Sequence, residues 1–146
     1  MSDIFDQSKT FSDLTLNEQL LKGITEAGFI NPTAIQAQLI PPILAGADVI
    51  GQAKTGTGKT AAFGLPILNA ANPELPMQAL ILVPTRELAA QVAGELDMLG
   101  KYTLIRATCI IGGESARQQI RSVKDGGHII VGTPGRVMDL YGRGEI

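Results

Sequence analysis

Asp48-Val49-Ile50-Gly51-Gln52-Ala53-Lys54-Thr55-Gly56-Thr57-Gly58-Lys59-Thr60 is the stretch whose reading decides the fold class. A short apolar run enters a glycine-rich turn, and beyond Thr60 the apolar residues recur at helical spacing. The pattern predicts a strand over 48–51, a loop, and a helix over 60–71. Gly56 and Gly58 permit turns that a Cβ would block, so successive backbone N–H groups can converge on one point. The positive end of the following helix faces the same point, and Lys59 adds a full charge. The stretch fits G-x-x-x-x-G-K-[ST] with Ala53 in place of the first Gly. A glycine-rich turn with a surface lysine is the plainer alternative, but the strand-to-helix setting favours a loop that cradles phosphates. Ala53, Lys54, Thr55, Gly56, Thr57, Gly58, Lys59 and Thr60 are then candidate contacts to a nucleoside triphosphate. Lys59 would reach the β- and γ-phosphates, and the Thr60 hydroxyl would hold Mg²⁺.

Downstream of the loop, apolar runs at 78–83, 104–111 and 129–131 alternate with helical patterns at 86–99, 114–123 and 134–141. Strands alternating with helices predict crossover connections, a parallel sheet and the α/β class. In the helix over 86–99, Leu88, Val92, Leu96 and Leu99 mark one buried face. Upstream, Thr15 and Glu18 have capping-box spacing ahead of Leu16, Leu20, Leu21 and Ile24, with Gly28 as the stop. Thr33 and Gln36 repeat that spacing; Pro41-Pro42 is expected to kink or end the second helix, and Gly46 to close it. Residues 1–10 are polar and expected to fray, which leaves 11–146 as one domain.

Composition narrows the class. A chain of 146 residues, 45% hydrophobic, can build one ordinary core. With 17 Gly and 8 Pro it is not of low complexity. A net charge of −2 excludes binding by bulk positive charge, although a few well-placed arginines remain possible. Residues 1–85 carry four Lys/Arg and seven Asp/Glu; residues 86–146 carry eight and seven. Cys109 is the one cysteine, so no internal disulfide or multi-cysteine zinc site can form, and a reducing compartment suits it. No run approaches the roughly 18 apolar residues of a membrane span, and the first residues do not read as a signal peptide. The expectation is a cytoplasmic protein without a membrane partner. Cys109 and His128, each in an apolar strand setting, read as structural, and no Ser/His/Asp arrangement is evident.

Four further motifs carry a resemblance. Ala53 to Thr60, then Pro84-Thr85-Arg86-Glu87-Leu88-Ala89, Gly112-Gly113 and Thr133-Pro134-Gly135-Arg136 occur in the order found in DEAD-box RNA helicases. Gly28-Phe29, Pro32-Thr33 and Ile35-Gln36 resemble the Q motif of that family, and Phe11 lies 17 residues before Gly28, where the family has an isolated aromatic. The resemblance runs from Phe11 to Arg136. It implies a RecA-like P-loop fold with helices on both faces of a parallel sheet, incomplete at its C-terminal end.

The resemblance also implies roles. Gln36 would hydrogen-bond the adenine edge and Phe11 would stack on the ring; an amide offering one donor and one acceptor suits adenine better than guanine. On local grounds Gln36 reads equally well as the last residue of a capping box. Thr85 and Thr133 precede helix starts, so each motif brings free N–H groups and an arginine to a strand end, an arrangement that suits RNA phosphates. Pro84, Thr85, Arg86, Gly113, Thr133 and Arg136 are the candidate RNA contacts, with Gly113 allowing close backbone approach.

Lys59 and Thr60 are the candidate catalytic residues present. The D-E-A-D and S-A-T segments that hold Mg²⁺ and order the attacking water in the family do not occur in the sequence. The expectation is therefore an ATP-dependent RNA helicase whose second RecA-like domain lies elsewhere, with this stretch binding ATP or ADP and part of the RNA backbone but inactive alone. The alternatives are a stand-alone, catalytically inactive nucleotide- or RNA-binding module, or another P-loop NTPase. A GTPase would require an N-K-x-D segment, which is not present.

Overall fold

A computed structural model describes residues 4–146, in two compact units. Residues 1–3, part of the segment expected to fray, lie outside the described residues.

The first unit comprises residues up to Ala70 together with Met98–Thr103. Its elements are a 3₁₀ turn, Phe11–Leu14, and helices α1 (Glu18–Glu26), α2 (Ala34–Leu44) and α3 (Lys59–Ala70). Leu20, Ile24, Ile40, Leu65 and Leu68 are buried in it, with Phe11 and Leu14 from the 3₁₀ turn. Ahead of that turn, the Asp6 N–H donates to the Pro32 carbonyl (2.8 Å) and the Ala34 N–H to the Ile4 carbonyl (3.0 Å).

Two helix boundaries in this unit differ from expectation. Thr15 does not cap α1, because it ends the 3₁₀ turn in the left-handed region (φ 61°) and leads the chain away from the helix. Asn17 takes the position, its Oδ1 accepting from the Leu20 N–H (2.9 Å). Thr33 and Gln36 do form the capping box of α2, but α2 runs through Pro41 and Pro42 to Leu44. The prolines fall in its last turn and supply no N–H, and Gly46 (φ 84°) closes the segment as expected.

The second unit, Ala71–Asp97 with Leu104–Ile146, holds the sheet. Its strands β1 (Ala79–Leu82), β2 (Ala107–Ile110) and β3 (Ile129–Gly132) alternate with α4 (Arg86–Leu99, whose last two residues count with the first unit), α5 (Ala116–Lys124) and α6 (Pro134–Gly142). All pairings are parallel and the order is β1-β3-β2. β3 is central and buried along its whole length, which is why it reads as an unbroken apolar run rather than an alternating one. Ile110, Val123, Ile130, Val137 and Leu140 form one core cluster. On α4 three residues of the predicted stripe, Val92, Leu96 and Leu99, are buried beside Ala89 and Ala93, while Leu88 in the first turn is half-buried.

The strand expected over 48–51 does not form; residues 47–54 have no regular secondary structure. Ile50 is fully exposed and Val49 is 38% exposed. A strand must hand its backbone N–H and C=O groups to a neighbour, and no described strand pairs with this run. The helix after the loop begins one residue early, at Lys59.

Candidate functional site

The glycine-rich loop lies within the first unit. Gly56 (φ 79°) and Gly58 (φ 77°) both adopt the left-handed conformation. The turn is held by its own residues: the Thr57 hydroxyl donates to the Lys54 carbonyl (2.6 Å), and Lys59 Nζ donates to the Ala53 carbonyl (2.8 Å). Lys59 thus folds its ammonium back across the loop and meets the residue that replaces the first glycine of the pattern. Thr60 is the second residue of α3, in the turn where N–H groups lack helical partners.

Gln36 joins the loop to the Q-motif segment. Its Oε1 accepts from the Thr33 N–H (2.9 Å) while its Nε2 donates to the Gly58 carbonyl (3.1 Å). The side chain is 3% exposed. A primary amide has two donors and two acceptor lone pairs, so these bonds leave one of each. Gly58 permits the approach: a Cβ there would lie 2.2 Å from Gln36 Nε2. Phe11 is buried and packs at a tilt against Phe29, with ring centroids 6.2 Å apart.

The three remaining motifs meet in the second unit, each just beyond the carboxyl end of a strand. Pro84, Thr85 and Arg86 follow β1, Gly112 and Gly113 follow β2, and Thr133, Gly135 and Arg136 follow β3; together they line one open cleft of about 620 Å³. In parallel sheets this is the edge where ligands sit. The Thr85 hydroxyl accepts from the Leu88 N–H (3.2 Å), a cap for α4. Thr133 holds the N-cap position of α6 ahead of Pro134, but its hydroxyl makes no capping bond. Arg86 lies against Gly113, with Nη1 3.4 Å from the Gly112 carbonyl. Glu87 and Asp139 bring negative charge to the same walls.

Arg136 is the more firmly held of the two arginines. Its Nη1 donates to the Glu114 carbonyl and to Gln119 Oε1, both at 3.1 Å, and its side chain is only 16% exposed. Asp139 is matched by Arg143, whose Nε and Nη2 each lie 2.9 Å from its carboxylate. Sequence reasoning missed Gln119 and Asp139. Neither lies in a motif, and Gln119 meets Arg136 only because α5 packs back beside the sheet's carboxyl edge.

His128 and Cys109, read from the sequence as structural, both contact neighbouring backbone. His128 is buried; its Nδ1 accepts from the Arg106 N–H (3.0 Å), and Nε2 lies 2.8 Å from the Pro73 carbonyl. Cys109, on β2, is half-buried with its thiol 3.5 Å from the Ala89 carbonyl, and desolvation pushes its pKa up. Among the described residues no three His, Cys, Asp or Glu side chains gather as a metal site, and no helix is long and apolar enough to cross a membrane.

A parallel α/β sheet whose carboxyl edge carries the motif loops, with a glycine-lysine loop opening a helix, defines the chain as RecA-like. Residues 33–145 match the family model described as DEAD/DEAH box helicase. The chain is 53% identical over 135 residues to the DEAD-box ATP-dependent RNA helicase CshA of Bacillus licheniformis, covering 92% of this chain and 28% of that protein. It is 47% identical over 130 residues to the DEAD-box ATP-dependent RNA helicase RhpA of Helicobacter pylori, covering 89% and 26%. Among solved structures, a DEAD box protein from Methanococcus jannaschii superposes with a TM-score of 0.90 at 40% identity, covering 94% of this chain and 38% of that one. Dbp5 of Saccharomyces cerevisiae, bound to RNA and ADP BeF3, superposes with a TM-score of 0.84 at 38% identity, covering 94% and 35%. The chain belongs to the DEAD/DEAH box helicase family, and corresponds to part of the N-terminal RecA-like domain of its DEAD-box members. It spans about a quarter of the length of the curated relatives it matches.

Proposed function

We propose that these residues form the adenine-nucleotide site and part of the RNA track of an ATP-dependent RNA helicase. The observation that carries the reading is the meeting of three strand-end motifs, with Arg86 and Arg136, in one open cleft. Helix N-termini and arginines at a shared edge bind phosphates without reading bases, which suits a protein acting on RNA of any sequence. That RNA is found with the Dbp5 relative supports the assignment.

The loop residues fit a triphosphate. Gly56 and Gly58 hold left-handed turns, and a Cβ at Gly56 would meet nothing within 4 Å, so the space beside it is open. On binding, Lys59 would exchange the Ala53 carbonyl for the β- and γ-phosphate oxygens, where its charge gains most. Residues 53–60 would supply backbone N–H groups. For Mg²⁺ the chain offers the Thr60 hydroxyl, and the metal would neutralise charge developing on the phosphates. Gln36 would give its remaining donor and acceptor to the adenine edge while keeping its bonds to Thr33 and Gly58, and Phe11 would flank the base.

Hydrolysis and duplex remodelling are assigned to the whole protein, including a second RecA-like domain. The carboxylates that would complete the metal site are not in this sequence, so this stretch alone is expected to bind nucleotide without turning it over. Competition binding with ATP and GTP, before and after Gln36→Ala, tests the site. The expected result is preference for ATP in the parent and a loss of ATP affinity in the variant with GTP unchanged. Equal affinity for both nucleotides in the parent would overturn the adenine reading.

A further inference from the structure

We infer that Gln119 is a positioning residue for the RNA cleft, acting through Arg136; the inference rests on the RNA reading of that cleft. Gln119 is 5% exposed and sits in the middle of α5, outside every motif. Its Nε2 donates to the Ile111 carbonyl (2.9 Å), and its Oε1 accepts from Arg136 Nη1 (3.1 Å). The amide orientation is fixed by its partners, since a carbonyl requires a donor and a guanidinium requires an acceptor.

These two bonds tie separate walls of the cleft together. Ile111 directly precedes Gly112 and Gly113 at the exit of β2, and Arg136 lies in the first turn of α6. One buried amide therefore sets the distance between the glycine turn and the arginine. The Arg136 Nη1 group is fully engaged, by Gln119 and by the Glu114 carbonyl, whereas Nη2 has no acceptor among the described residues. A guanidinium fixed on one side and free on the other is pre-organised to meet a phosphate, without losing its freedom at the moment of binding. Asp139 would compete for that charge, but Arg143 already holds its carboxylate and Arg136 Nε stands 3.9 Å away.

The test is a double-mutant cycle on this chain with Gln119→Met, which keeps volume and removes the amide, and Arg136→Ala. Affinity for a fluorescein-labelled oligouridylate is read by anisotropy at several salt concentrations. Each single substitution should weaken binding by roughly threefold to tenfold, and the double variant should bind no worse than Arg136→Ala alone. Only Arg136→Ala should lower the salt slope, because Gln119→Met leaves the charge in place. If the two losses multiply, Gln119 does not act through Arg136 and the inference fails while the RNA reading stands. If the parent chain binds no oligouridylate, the RNA reading fails and the inference falls with it. Should Gln119→Met not fold, Gln119→Asn takes its place, keeping the amide but shortening its reach: a loss of affinity that disappears in the Arg136→Ala background supports the inference, and an equal loss in both backgrounds overturns it.

Discussion

Arg86 lies across the backbone of Gly113, so close that a Cβ at Gly113 would fall 2.1 Å from the arginine Nη1. The glycine also holds φ at 80°, a conformation that side-chain-bearing residues rarely adopt. Two motifs far apart in sequence thus depend on one missing methyl group. Gly113→Ala is expected to displace Arg86 and to cost about 1–2 kcal/mol of backbone strain. Thermal unfolding should show a midpoint lower by roughly 2–8 °C. RNA affinity should fall by about as much as in Arg86→Ala, and an unchanged affinity would show that Arg86 does not need this seat.

The same logic applies at Gly58. A Cβ there would meet Gln36 Nε2, which is buried and already committed to the Gly58 carbonyl. Gly58→Ala should break the link between the loop and the α2 capping box. ADP affinity should fall by roughly fivefold to thirtyfold, the equivalent of about 1–2 kcal/mol of strain set against the bound form, measurable with a fluorescent ADP analogue.

His128 is expected to matter for stability alone. Its Nδ1 accepts a hydrogen bond, so the ring proton sits on Nε2 and is donated to the Pro73 carbonyl. His128→Phe fills the space but leaves the Arg106 N–H and the Pro73 carbonyl unmet, at a cost of about 2–3 kcal/mol. Urea unfolding should show this loss with RNA affinity intact in the folded variant. Lost affinity at full stability would instead give His128 a functional role.

Cys109 should be slow to alkylate. Burial disfavours the thiolate, and the nearby Glu114 and Asp97 charges add to the upward shift. At a given pH a smaller fraction of Cys109 than of an ordinary thiol is the reactive thiolate. Iodoacetamide labelling of the folded chain should therefore lag behind free cysteine, and the lag should shrink as pH rises. Labelling at the free-cysteine rate would contradict this placement.

Much of the fold can be read in the sequence where local chemistry and tertiary demand agree. The pattern over 86–99 gives α4 its observed bounds, because its apolar stripe and flanking loop residues point the same way. Residues 48–51 look like a strand for the same local reasons, yet a strand is made by its neighbour, and no neighbour is paired to them. Thr15 and Asn17 are both good caps; only the preceding 3₁₀ turn decides between them. The motifs announced the cleft residues, but Gln119 is a mid-helix glutamine whose partners are 8 and 17 residues away, and no spacing rule marks it. Gln36 illustrates the opposite case, since its cap role and its bond to the glycine loop coexist.

The central claim is that residues 53–60 hold the phosphates of an adenine nucleotide through Lys59. Isothermal titration of the folded chain with ADP, alongside Lys59→Ala, addresses it most directly. The account predicts saturable heat with one site per chain, and loss of that heat in the variant. Absence of heat from the folded parent chain, or equal heat from both proteins, would contradict it.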